Sequence, residues 1–414
     1  MDTIVERCAG LDVHKDTVVA TVRVPAGKGR GRRHTETATF GTTARQVKLL
    51  GDWLADHGVT LVAMEATGVY WKPIFYGLED RFTCWLCNAY HLRNVPGRKT
   101  DVADSVWICQ LAEHGLVRPS FVPPPPIRRL RNLTRARKAQ INERGRTVQR
   151  LDKILQDAGV KLNSVASRTL GVSGRLMLEA LVAGQRDPAA LADFAKGRLR
   201  AKIPALREAV DARFDDHHAT VVAQLLAHVD ALDAGIATLD ARVAEAAAPW
   251  ADLIELLCTI PGVEIRTAEV LIAECGADMS VFPTAAHLAS WAGICPGNRE
   301  SAGKHYSGKT RAGSKWLRTA LTEAAQAAAR TRDTYLASHF RLIRGRRGKQ
   351  KAIGALRHDI LIAFWHIVSK REPYHDLGGD WHHRRYSPEQ QTQRLVRQLE
   401  RLGHKVILQP TDAA

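Results

Sequence analysis

The apolar positions change period partway along the chain. Up to residue 115, short apolar runs alternate with amphipathic ones. "CAGLDVHKDTVVATVRV" predicts a strand, a turn and a second strand, and "RRHTETATF" a third strand with period-two patterning. "TTARQVKLLGDWLADHG" reads as a capped amphipathic helix ending at Gly58. "VTLVAMEATG" is then a strand, "YWKPIFYGLED" a helix, "FTCWLC" a strand and "DVADSVWICQLAEHG" a helix. The order β-β-β-α-β-α-β-α predicts an α/β layer with a hairpin-built edge and a parallel remainder.

Pro123 to Pro126 predict a stiff spacer, and helical periodicity takes over beyond it. Apolar residues recur at Ile127, Leu130, Ile141, Val148, Leu151 and Leu155. The polar face of that helix carries Arg128, Arg129, Arg131, Arg135, Arg137, Lys138, Arg144, Arg146 and Arg150, with Glu143 as the acid among them. A second helix places Val222, Val229, Ile236 and Val243 at a positions and Leu225, Leu232 and Leu239 at d. That choice suits a two-stranded parallel coil. It equally suits an intrachain bundle in which the two helices cover each other. Further on, "LLCTIPGVEIRTAEVLIAECG" predicts helix, Pro-Gly turn and helix, similar to a helix-hairpin-helix binder of phosphate backbones, with Glu264 where a second glycine is common.

Charge narrows the partner. Lys and Arg number 60 against 43 Asp and Glu, a formal net charge of +17, which favours a polyanion. An anionic membrane is the competitor, but no apolar run approaches the roughly 20 residues of a span. "MDTIVERCAG" has no signal-peptide pattern, and the seven cysteines form no disulfide-like framework, so a reducing cytoplasm is expected. Cys84 and Cys87 make one C-x-x-C without a second pair, and read as strand residues.

Two groups of residues carry candidate chemistry. Asp12 lies in the first strand, Glu65 closes the strand "LVAME", and Asp101 and Asp104 open a helix on one face. Each has a structural reading by itself: Asp12 before a turn, Glu65 as a strand-end charge, Asp101 and Asp104 as a helix cap. Brought together, four carboxylates form an oxygen cage suited to Mg²⁺, and two such ions can hold a scissile phosphate. The second group is "GNRESAGKHYSGKTRAGSKWLR", residues 297–318, where Arg299, Lys304, Lys309, Arg311 and Lys315 surround Ser301, Ser307 and Ser314 among glycines. Glycines allow close backbone approach to a phosphate, and cations neutralise it. Backbone contact is also expected of Arg128, Arg131, Arg135, Arg137 and Lys138.

"GLDVHKD", "MEATGVYW", "RKTDVADS" and "CTIPGV…GNRESAGK…SGKTRAGSKWLR" together resemble the DEDD/serine transposases of bacterial insertion sequences, the IS-one-ten family. The wording "PGNRESAGK" resembles its IS-eleven-eleven branch. The resemblance implies a RuvC-like, RNase H-type catalytic domain over 1–122 and a helical coiled-coil connector over 123–250. A mainly helical serine transposase domain over 251–370 would follow, with a polar tail over 371–414. It implies a recombinase guided by a bridge RNA that pairs with target and donor DNA, acting as a homo-oligomer, dimer or tetramer. Asp12, Glu65, Asp101 and Asp104 would hold Mg²⁺, and Ser301 would be the nucleophile that forms a phosphoserine link to DNA, completing a composite site. Two other readings compete: a RuvC-like junction nuclease using water, and a nucleic-acid-binding scaffold without chemistry.

Overall fold

A computed structural model describes residues 3–26, 33–89, 92, 104–297, 299–384 and 387–409, the side chains of 299, 300, 305–307, 383 and 388 excepted. The chain divides into two compact units, Met1–Val122 and Pro123–Ala414.

The first unit is built on one sheet. Its strands are β1 (Cys8–Val13), β2 (Thr17–Pro25), β3 (Arg33–Gly41), β4 (Leu61–Glu65) and β5 (Thr83–Cys87), in the spatial order β3-β2-β1-β4-β5. The first three strands run antiparallel in sequence, whereas β1, β4 and β5 run parallel. β1 is therefore central and covered on both faces, which explains why "CAGLDV" reads as a nearly unbroken apolar run. Helices α1 (Ala44–Asp56) and α2 (Trp71–Leu78) cover one face, where Leu11, Val22, Leu50, Leu54, Met64, Ile74 and Leu78 form a core. Helix α3 (Asp104–Glu113) covers the other, over Cys8, Leu61, Ala63, Ile108, Cys109 and Leu111.

Gly10 sets how close α3 comes. A β-carbon there would lie 2.2 Å from the Ser105 carbonyl oxygen and 2.4 Å from the Cys109 nitrogen, inside any tolerable contact. The helix is pinned at its start by Ser105 Oγ against Thr21 Oγ1 at 2.9 Å. At its end the buried Glu113 takes Arg23 at 2.5 Å and Arg33 at 2.9 Å.

The second unit is helical, with one small hairpin. Its first helix, α4 (Pro125–Asp157), corrects the expected stiff spacer: Pro125 and Pro126 lie in the first helical turn, where a missing N–H costs nothing. α5 (Val172–Val182) and α6 (Asp216–Ala247) follow. The α4–α6 pair is an antiparallel intrachain hairpin, since Arg137 meets Asp240, Arg144 meets Asp233, and Asp157 meets His218 at 3.3 Å. Val222, Leu226, Val229 and Val243 are buried in that seam, whereas Leu232, Ile236 and Leu239 are half-buried. The stretch Asp216–Cys258 is long and apolar enough to cross a membrane by length and composition alone. Ion pairs from Asp233 and Asp240 to α4, and from Asp230 to Arg175 on α5, mark a helix packed within this unit instead.

Helices α7 (Ala251–Cys258) and α8 (Ile265–Cys275) flank the turn that contains Pro261 and Gly262. Strands β6 (Arg299–Ser301) and β7 (Lys304–Ser307) pair antiparallel, followed by α9 (Lys315–Ala328), α10 (Tyr335–Arg347), α11 (Lys349–Lys370) and α12 (Pro388–Arg401).

Candidate active site

The parallel register of β1 and β4 ends with Leu11 opposite Met64, so the next residues, Asp12 and Glu65, stand side by side at the carboxyl ends of neighbouring central strands. Leu11 and Met64 face the core under α1 and α2. By the period of two, Asp12 and Glu65 face the other way, towards the side that α3 covers. Asp104 is the first residue of α3, adjacent to Ser105, which is clamped to Thr21. Three of the four predicted acids thus share one face of one sheet. Asp101 lies outside the described residues.

Asp12 is the penultimate residue of β1, and its side chain is 20% exposed. Its desolvation cost is correspondingly smaller, and His14 Nε2 stands 3.1 Å from Oδ2. Thr67 Oγ1 donates to the Val13 carbonyl at 3.2 Å, tying the ends of β1 and β4 together beside the two acids. Burial pushes the Cys87 thiol up to about 12, helped by the charge of Glu65, so it stays protonated and offers no thiolate. The carboxylates are an oxygen donor set, the kind a hard divalent cation takes, with the His14 imidazole beside Asp12.

The serine-rich segment resolves into three different environments. Ser314 caps α9 through Leu317 N and donates to the buried Glu274 at 2.8 Å, so it is a structural residue. Ser307 ends β7 opposite Arg299. Ser301 ends β6, is exposed, and is followed by Ala302 (φ 50°) and Gly303 (φ 74°) before Lys304. Both central residues are left-handed, as a two-residue type I′ hairpin demands. Glycine accepts that conformation freely; alanine does so at a cost of roughly 1–2 kcal/mol. Backbone strain is thus stored directly beside Ser301. Lys304, Lys309, Arg311 and Lys315 are exposed around the segment, Lys315 Nζ lying 4.9 Å from the Trp316 ring centre.

Much of the basic face of α4 proves to be engaged within its own unit. Arg131 donates to the Ala273 and Glu274 carbonyls at 2.8 and 2.7 Å. Arg135 forks onto the Glu274 carboxylate at 2.7 and 2.8 Å, Arg137 pairs with Asp240, and Lys138 reaches Glu323 at 2.7 Å. Arg128 is half-buried. The connector and the following helices are therefore bolted together by the residues expected to hold nucleic acid.

A more exposed basic surface lies in a segment that the sequence marks only as basic, without a site assigned to it. Arg341, Arg344, Arg346, Arg347, Lys349 and Lys351 are all exposed at the α10–α11 junction, and no acid pairs with any of them among the described residues. The signal was in "RLIRGRRGKQK", whose lack of acidic residues distinguishes it from the longer basic helix.

Comparison with known proteins gives two matches in chain order. A DEDD transposase family of IS110 type matches residues 9–159, which hold all four acids. A second family, described as transposases of the IS116/IS110/IS902 family, matches residues 254–340, which hold Ser301. One curated relative, the insertion element IS110 uncharacterized 43.6 kDa protein of Streptomyces coelicolor, is 43% identical over 70 residues. That alignment covers 17% of this chain and 17% of the relative.

Proposed function

The chain belongs to the IS110 (IS-one-ten) family of insertion-element transposases, and from that we propose that it is a DNA recombinase in which an acidic metal site and a serine act together. One observation carries the proposal: Asp12 and Glu65 end neighbouring parallel strands on the face covered by α3, whose first residue is Asp104. A strand order of β3-β2-β1-β4-β5 with β1 central supports a RuvC-like, RNase H-type assignment of this unit.

Asp12, Glu65, Asp104 and, by the resemblance, Asp101 would hold Mg²⁺. When bound, that ion supplies positive charge at the scissile phosphate and lowers the pKa of an oxygen nucleophile. The chain's own residues do the remainder. Ser301 Oγ, presented at the hairpin corner, attacks the phosphorus of a DNA phosphodiester. A serine–phosphate bond forms, the bond to the leaving sugar oxygen breaks, and the serine proton passes to a nearby base or water. Lys304, Arg311 and Arg299 stabilise the charge that builds on the non-bridging oxygens. Reversal onto a second strand end exchanges the DNA and frees the serine. A bridge RNA that pairs with target and donor DNA, and assembly of protomers into a dimer or tetramer, complete the proposed reaction.

Trapping decides between this and the water-using nuclease. The full-length protein is incubated with element-end DNA, its guide RNA and Mg²⁺, then denatured and digested. A nucleotide remnant on the peptide containing Ser301 is expected, absent in Ser301→Ala. Cleavage that persists in Ser301→Ala without any protein–DNA adduct would overturn the serine mechanism and leave the acids acting on water.

A further inference from the structure

On the opposite face of the sheet from the acids, β3 and the end of α1 bring three metal-ligating side chains together. His34 and Glu36 lie two apart on β3, and so on one face of the sheet, and His57 follows the last turn of α1. Their donor atoms all lie within 4.8 Å of one another. Glu36 Oε2 is 3.4 Å from His34 Nε2 and 3.2 Å from His57 Nε2. Donors bound to zinc at about 2.0–2.1 Å stand about 3.3 Å apart along a tetrahedral edge, a spacing that both Glu36–histidine distances match.

The hydrogen bonding of His57 also fits a ligand. Its Nδ1 lies 2.8 Å from the Trp53 carbonyl oxygen, which can only accept, so that nitrogen donates and Nε2 is the ring atom turned towards Glu36, 3.2 Å away. A hydrogen bond of this kind is what orients histidine ligands in metal sites, by fixing tautomer and ring direction. The carbonyls at the end of α1 add negative potential for a cation.

We propose that His34, Glu36 and His57 form a zinc site that clamps the edge strand β3 to the end of α1, with a fourth position open to water. Two imidazoles and one carboxylate suit a borderline cation such as Zn²⁺, whereas Mg²⁺ prefers oxygen alone. The site is separate from the acids. Glu36 pairs with Val22, which pairs with Ala9, three residues before Asp12 on β1. Val22 and Ala9 belong to the core under α1, so the zinc ligands face that side and Asp12 faces α3. The clamp also answers a general hazard, since β3 is a sheet edge among the described residues, and edge strands invite pairing with other chains.

The test uses the full chain, stripped with chelator and titrated with Zn²⁺, Mg²⁺ or Co²⁺. Wild type and Asp12→Asn should both gain thermal stability with Zn²⁺ and show the intense visible absorption of tetrahedral Co²⁺. His34→Gln, Glu36→Gln and His57→Gln should lose that spectrum and bind Zn²⁺ at least about 100-fold more weakly. Circular dichroism reports whether each variant folds. His34, half-exposed on a strand, is the safest and decides if His57→Gln misfolds. Zn²⁺ binding unchanged in all three variants, or weaker than about 0.1 mM in wild type, would overturn the proposal and leave a carboxylate–imidazolium cluster.

Discussion

Glu274 shows how a single side chain redirects the meaning of its neighbours. It is buried, receives the fork of Arg135 and the hydroxyl of Ser314, and lends its carbonyl to Arg131. Removing it strands a guanidinium and loosens the cap of α9. Glu274→Ala is expected to cost about 3 kcal/mol, the lower end for breaking a buried pair because Arg135 is still 31% exposed. A denaturant midpoint indistinguishable from wild type would refute that role. Ala302 makes the opposite case, a residue whose cost is local and whose benefit lies next door. Ala302→Gly should leave stability unchanged or raise it by about 1 kcal/mol, because glycine adopts φ near 50° without strain. If the strain holds Ser301 at its hairpin corner, the same change should slow adduct formation in single-turnover assays. An unaltered rate would show that the hairpin alone suffices.

At the scale of elements, α4 and α6 were legible as helices but not as partners. Heptad spacing fixes which residues face a neighbour and says nothing of whose neighbour it is, so parallel dimer and intrachain hairpin fitted equally until Arg137 and Arg144 were seen against Asp240 and Asp233. The basic face of α4 misled for a related reason. Its charges are counted along one helix, while the acids that neutralise them come from sites 89 to 185 residues away. The hairpin makes a graded prediction. Val229 is buried and Ile236 half-buried, so Val229→Asp should lower the thermal midpoint more than Ile236→Asp. Light scattering should find the molecular mass unchanged in both if the seam serves the hairpin alone. A fall in mass for Ile236→Asp would instead assign the half-exposed middle of α6 to contacts between protomers.

Over the whole molecule, the acids could be read from the sequence because strand ends and helix starts are where a parallel sheet gathers side chains. Asp12, Glu65 and Asp104 needed only the right strand order. The cluster of His34, Glu36 and His57 could not, since His57 reaches β3 only once α1 folds back across the sheet. The basic surface was half legible: charge predicted a polyanion, but only the fold separates cations spent on internal pairs from cations left exposed. That distinction is measurable through counterion release, which lowers log K by about 0.9 per phosphate neutralised for each decade of salt on duplex DNA. Replacing Arg344, Arg346 and Arg347 with glutamine removes three exposed charges that have no acidic partner among the described residues. The salt slope for duplex binding should therefore flatten by up to about 3 units, with the melting temperature nearly unchanged. Replacing Arg135, Arg137 and Lys138 breaks pairs with Glu274, Asp240 and Glu323, so it should lower stability and leave the slope close to wild type. The reverse pattern, with a flattened slope from the α4 triple and none from the α10 triple, would mean that DNA or RNA displaces those internal acids on binding.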